Sequence, residues 1–206
     1  MRQRQTNPLP DWFSAARPMP GQARSGDLSL VVPFPGGCLV AAIDGIGHGD
    51  EAAAAARAAG EVLRAHADAP VIWLVRRCHE ALLETRGVVM SLASFVAQYE
   101  TLTWIGVGNV EGLLLRADPA AAPSQESLLL RGGVVGFNLP QLAAAVLPLS
   151  RGDTLVLATD GIKSSFGVGL AAGRPPRQLA QHVLAEHAKP NDDALVLAAV
   201  FLSDGD

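Results

Sequence analysis

Charge is scarce in this chain of 206 residues: only 17% of its side chains are Asp, Glu, Lys or Arg, against about a quarter in an ordinary soluble domain. With 49% apolar residues, the composition excludes disorder and leaves a surface partly made of alanine and glycine, which suits a docking partner. No run of Lys or Arg occurs and the net charge is −4. Non-specific affinity for a phosphate backbone is built from clustered basic charge, so nucleic acid is not an expected partner. Although mean hydropathy is +0.25, no apolar run approaches the roughly 18 residues that cross a bilayer. CLVAAI and LAAAVLPL end quickly, and no membrane association is expected. Two cysteines, Cys38 and Cys78, are too few for a disulfide scaffold or a zinc clamp and read as small hydrophobes. The opening MRQRQTNPLPDWF carries basic residues with no apolar stretch behind them, so it does not read as a secretory signal, and the cytoplasm is the expected compartment. The length suits one hydrophobic core, and a single domain over residues 1–206 is expected.

What is present is a succession of short apolar runs. WFSAAR reads as a strand between proline-rich turns, and DLSLVV and GCLVAAID read as a hairpin pair joined at Pro33-Phe34-Pro35-Gly36-Gly37. From Asp50, a plausible N-cap, EAAAAARAAGEVLRAHA is rich in strong helix formers, and a second helix is predicted from Val71 to Thr85, ending at Gly87. VVMSLASFVAQ, TLTWIGVG, VEGLLLR, SLLLR, LAAAVLPL and DTLVLATD then read as strands, followed by a helix over Pro176–Ala188 and a buried strand in DDALVLAAVFL. Strands follow one another without helical crossovers, which favours antiparallel sheets with helices packed outside them over a doubly wound parallel sheet.

The aspartates carry the chemistry. LVAAI runs into Asp44, TLVLAT runs into Asp160, and Asp192 and Asp193 open the last strand, whereas buried strands ordinarily avoid acids. Two acids end strands and two begin one, so antiparallel neighbours would bring them to the same sheet edge. Converging carboxylates repel one another unless a cation neutralises them, and all-oxygen ligation suits Mg²⁺ or Mn²⁺ rather than zinc. Gly45 and Gly161 follow two of the acids and allow turns whose carbonyls face a metal. The unit Asp44-Gly45-Ile46-Gly47-His48-Gly49-Asp50 lies between a strand and a helix, where a glycine-rich turn presents backbone groups to a phosphate. Its alternating glycines miss the dinucleotide spacing, and it lacks the Lys-Ser/Thr of a P-loop. His66, His79, His182 and His187 show no i,i+4 metal spacing and read as solvated helix residues.

DGIGHG resembles the D-G-x-G-H-G signature of the SpoIIE-like bacterial branch of the protein phosphatase 2C superfamily. Ser25-Gly26-Asp27, GDTLVLATDG and NDDALVLAAV resemble further motifs of that family in the family's order, covering the chain from about Ser14 to Phe201. The resemblance implies an α+β fold: a central antiparallel β-sandwich flanked by helices, layered α-β-β-α. It implies a Ser/Thr phosphatase in which Asp44 bridges two Mn²⁺ or Mg²⁺ ions and the Gly45 carbonyl binds one of them. Asp160 and Asp192 complete the site, Asp193 shares or replaces the role of Asp192, and Asp27 holds a metal-bound water. A hydroxide bridging the ions would attack phosphorus in line. Asp44 is thereby placed in catalysis, and His48 is either the general acid for the leaving oxygen or a helix-entry residue. Implied partners are phosphorylated STAS-domain proteins or an anti-anti-sigma factor. Leu195 stands where the family often has Thr, the phosphate-binding Arg of the eukaryotic branch has no counterpart, and Asn109 and Glu111 in GVGNVEG read as a glycine-rich strand turn. An aspartyl-nucleophile phosphatase needs D-x-D-G, and Ala158 two residues before Asp160 breaks that template. A degraded phosphatase that only docks on partners is the remaining alternative, and the intact acids argue against it.

Overall fold

Strands buried on both faces read as near-continuous apolar runs, and the computed structural model, which describes residues 10–202, places those runs in two stacked sheets. The expectation that the N-terminal segment carries no secretory signal falls largely on residues 1–9, outside the described residues. One sheet joins β1 (Asp11–Arg17), β11 (Ala194–Val200), β10 (Thr154–Ala158), β6 (Glu111–Leu115) and β7 (Gln125–Ser127) in that order. The other joins β2 (Asp27–Phe34), β3 (Gly37–Gly45), β4 (Val88–Val96), β5 (Thr101–Val107) and β8 (Leu130–Arg131), with β9 (Ala145–Pro148) also on β5. Every pairing is antiparallel except that of β5 with β8.

Alternation along each strand divides the core into three layers. Cys38 and Val40 of β3 and Leu195 and Leu197 of β11 fill the space between the sheets. Leu39, Ala41 and Ile43 face α1 (Gly49–Ala65) and α2 (Val71–Ala81), meeting Ala55, Ala59, Leu63, Leu74 and Cys78. Val196 and Ala198 face α3 (Pro176–His187) through Leu179, Ala180 and Val183. The α-β-β-α layering is the one expected. The alanines of α1 let it approach β3 closely: a Cβ on Gly45 would lie 2.1 Å from the Ala52 carbonyl oxygen. Both cysteines are buried, and burial pushes each thiol up to about 12.

Several boundaries differ from the sequence reading. SLLLR is not one strand: β7 and β8 belong to different sheets, and Leu128 crosses between them into the inter-sheet core. The helix predicted to Thr85 stops at Ala81 because Thr85 turns the chain, its hydroxyl donating to the Leu82 carbonyl (2.8 Å) and accepting from Gly87 N–H (3.0 Å). Helix α1 begins at Gly49 with His48 as N-cap, so Asp50 lies in the first turn rather than capping it. His79 is half-buried rather than solvated, and its Nδ1 accepts the Gly136 N–H at 2.9 Å.

Candidate metal centre

The acids converge across the sandwich rather than along one sheet edge. Asp27 opens β2 and pairs in register with Asp44 near the end of β3. Both share the parity of Val31 and Val40 and so face the inter-sheet space. Asp160 lies two residues past β10, and Asp192 and Asp193 immediately precede β11, all in the opposing sheet. Asp44, Asp160 and Asp192 line one cavity of about 430 Å³ together with Ile46, Gly47, Gly108, Asn109, Gly132 and Gly133.

Thr159 joins the two sheets at this mouth. Its hydroxyl donates to Asp27 Oδ2 (2.8 Å) and accepts the Leu195 N–H (2.9 Å). Asn109 donates to Asp160 Oδ2 at 2.8 Å from the turn before β6, the strand beside β10 in the same sheet. The sequence reading passes over Thr159 and takes Asn109 only as part of a glycine-rich strand turn. Thr159 adjoins an acid at a strand end, where a short hydroxyl side chain has a ready acceptor, and that adjacency was the available signal.

Asp193, which the resemblance offers as sharing or replacing the role of Asp192, is engaged by two backbone amides. One of its oxygens accepts Met19 N–H at 2.7 Å and the other accepts Gly26 N–H at 2.8 Å, and the residue is only 6% exposed. It therefore pins the β1–β2 connection against β11, while Asp192, half-buried, faces the cavity. Gly45 lies beside that clamp, its carbonyl oxygen 3.4 Å from a Cβ placed on Gly26. The Gly161 carbonyl accepts Lys189 N–H at 2.7 Å, and a Cβ there would meet the Asp193 carbonyl oxygen at 1.7 Å; close approach is what demands glycine at 161. His48 is exposed, makes no side-chain capping bond and does not line the cavity, which favours the helix-entry alternative.

Electrostatics state what this mouth favours. Burial, opposed by the Thr159 hydrogen bond and reinforced by Asp193, Asp160 and Asp192, pushes Asp27 up to about 7. Burial and the same carboxylates push Asp44 up to about 8, with Asp27 its strongest charged neighbour. Burial and Asp160 raise Asp192, which Lys189 partly offsets. Carboxylates held this close together favour protons or a divalent cation over standing ionised and alone. Among the described residues no three acidic, imidazole or thiol side chains are yet closed around one point. The donor set itself is hard oxygen throughout, with no thiol or imidazole lining the cavity, and it fits Mg²⁺ or Mn²⁺.

A sandwich of two largely antiparallel sheets between helices, with carboxylates of both sheets at one mouth, is the build of a protein phosphatase 2C-type serine/threonine phosphatase. The chain belongs to the SpoIIE family (stage II sporulation protein E), whose model matches residues 35–201. Sequence comparison finds no match among curated proteins. Among solved structures, the chain is similar to one from the bacterial stressosome, described as a modular system adapted to control secondary messenger signalling. That likeness has a TM-score of 0.83 and 26% identity and covers 92% of this chain and 98% of the other. It is similar also to RsbX in complex with magnesium (TM-score 0.79, 20% identity, 92% of this chain and 94% of the other). A third likeness is to the phosphatase domain of SpoIIE from Bacillus subtilis with a fragment of its regulatory domain (TM-score 0.75, 17% identity, 95% and 64%).

Proposed function

We propose that this chain is a single cytoplasmic phosphatase domain that removes phosphate from serine or threonine of a STAS-domain signalling protein, in the manner of RsbX. The observation that carries the catalytic part is the convergence of Asp44, Asp160 and Asp192 from two sheets on one polar cavity, with Asp27 paired to Asp44 behind them. Similarity to a stressosome chain and to magnesium-bound RsbX supports the substrate class and the metal. Among the described residues no helix is long and apolar enough to cross a membrane.

Asp44, Asp160 and Asp192 would hold two Mn²⁺ or Mg²⁺ ions. When bound, such ions neutralise phosphoryl oxygens and lower the pKa of water, which supplies a nucleophile at neutral pH. This chain's residues do the positioning. Thr159 orients Asp27 and fixes the spacing of the sheets, Asn109 orients Asp160, and Asp193 holds Gly26 beside Gly45. The glycines at 47, 108, 132 and 133 leave part of the cavity wall without side chains, so a phosphoryl group can reach the carboxylates.

Mn²⁺-stimulated release of phosphate from a phosphoserine STAS-domain protein tests the reading, with a phosphorylated anti-anti-sigma factor as the competing substrate. Asp44→Asn and Asp160→Asn are expected to lower kcat by at least about a hundredfold in a folded chain, the scale on which loss of preorganised transition-state electrostatics acts. Full activity in EDTA, or in either variant, refutes metal-dependent hydrolysis at this site.

A further inference from the structure

The chain has only two lysines among its sixteen basic residues, Lys163 and Lys189. Both line a second cavity of about 310 Å³ with Glu111, Ser164 and Ile162, and this cavity shares Asn109 and Asp160 with the metal pocket. The fold sets them diagonally across one bridge. Ile162 and Ala188 form an antiparallel bridge, Lys163 N–H donates to the His187 carbonyl (2.9 Å), and Lys189 N–H donates to the Gly161 carbonyl (2.7 Å). Positions 163 and 189 are each one residue beyond that bridge, so both side chains leave on the face opposite buried Ile162.

Both lysines are exposed and neither makes a salt bridge, whereas Arg24, Arg77, Arg86 and Arg116 each hold a carboxylate. They are the only cations lining either cavity among the described residues. Lys189 influences Glu111 and Asp192 at longer range: burial raises both acids and the ammonium opposes the rise. Two ammonium groups with a serine hydroxyl and an asparagine amide, lining one polar cleft, have the donor chemistry of an oxyanion site.

We propose that Lys163 and Lys189 form an oxyanion subsite that binds an acidic group flanking the phosphorylated residue of the substrate protein. The subsite deepens the phosphatase reading and rests on it. A carboxylate side chain and a second phosphate present the same oxyanion, so the substrate would be a phosphoserine or phosphothreonine in an acidic or multiply phosphorylated stretch.

The experiment uses the full Mn²⁺-loaded chain, p-nitrophenyl phosphate, and three phosphoserine peptides in which the flanking positions carry alanine, glutamate or further phosphoserine. Wild type is expected to favour the glutamate peptide over the alanine peptide by about tenfold in kcat/KM, a preference that fades as salt is raised. A larger preference for the multiply phosphorylated peptide identifies phosphate as the natural group. Lys163→Gln with Lys189→Gln is expected to bring the peptides to within about twofold of one another and to leave p-nitrophenyl phosphate hydrolysis unchanged. Lys163→Glu with Lys189→Glu is expected to invert the preference toward a lysine-flanked peptide. Wild-type activity without flank preference overturns the subsite alone, as does equal loss on every substrate in the glutamine variant, which would make the lysines counter-charges of the metal site. Absence of any wild-type hydrolysis removes the phosphatase reading and the subsite with it.

Discussion

Replacing Asp193 with alanine separates two roles that a run of adjacent aspartates leaves confounded. As a ligand, Asp193 would contribute mainly to ion binding. As the clamp seen here, it contributes to holding the β1–β2 connection on β11, through hydrogen bonds from Met19 N–H (2.7 Å) and Gly26 N–H (2.8 Å). A hydrogen bond to an ionised group is worth about 1.5–3 kcal/mol, and an unpaired buried donor costs about as much, so two such bonds set a gross loss of about 3–6 kcal/mol. Against this stands relief of repulsion, since Asp193 helps raise Asp27, Asp44 and Asp192. A net loss of about 2–4 kcal/mol follows. At about 2–4 °C per kcal/mol for a domain of this size, the Tm falls by roughly 5–15 °C. Calorimetry in EDTA isolates this effect from metal binding, and Mn²⁺ titration of the folded variant well below its Tm measures the other role. The expected result is a large loss of Tm with Mn²⁺ affinity within about threefold of wild type, and the reverse for Asp192→Asn. An Asp193→Ala chain that keeps its Tm and loses Mn²⁺ would refute the clamp.

Three further outcomes are expected. Asp27 and Asp44 titrate near 7 and 8 in the folded chain against 3.8 as free side chains, so between those values the folded state binds more protons than the unfolded state. The metal-free protein should therefore lose stability as pH rises from about 4 to 8, and thermal melts in EDTA at pH 5 and 8 should differ accordingly, with Mn²⁺ narrowing the difference. Thr159→Val removes the bond to Asp27 and orphans the Leu195 N–H, for a loss of about 1–3 kcal/mol in urea unfolding and a fall in kcat with little change in KM. Gly45→Ala drives a methyl to 2.1 Å from the Ala52 carbonyl oxygen, and displacing α1 from β3 should cost about 3 kcal/mol or more; a soluble variant with wild-type Tm would contradict that packing.

The layering was legible in the sequence because period and composition agree within single elements. GCLVAAID and DDALVLAAVF are apolar on both faces, as strands between a helix layer and another sheet must be. The alanine run after Asp50 has no reading but helix. Where local signals compete, the reading failed. SLLLR is uniformly apolar, so nothing local marks Leu128 as the point where the chain changes sheets. Thr85 ends α2 early through a side-chain bond that propensity does not register. The acids were legible individually, as carboxylates at the ends of buried runs, but their roles were not. Asp192 and Asp193 are neighbours with the same side chain, and the pleat sends one to the cavity and the other to two backbone amides.

That division explains why the site needs both sheets. A carboxylate pair on one sheet, such as Asp27 opposite Asp44 in register, sits at the fixed spacing of paired strands, and the next position across that sheet is Val89 rather than a third acid. The opposing sheet supplies Asp160 and Asp192, but two stacked sheets are about 10 Å apart, and their ends must be drawn together for Asp44, Asp160 and Asp192 to line one cavity with Asp27 behind them. Thr159 does this directly through its bond to Asp27, and Asp193 does it indirectly by fastening Gly26, the residue before Asp27, to the strand that follows Asp192. Burial first, and repulsion among the carboxylates second, raises Asp27 and Asp44; the repulsive part acts to push the sheet ends apart, and these hydroxyl and backbone contacts oppose it when no cation is bound. A cation would add its attraction in the same direction, so binding it stabilises the closed mouth rather than building it. Thr159 and Asp193 thus belong to the preorganisation of the site, although neither faces the cavity.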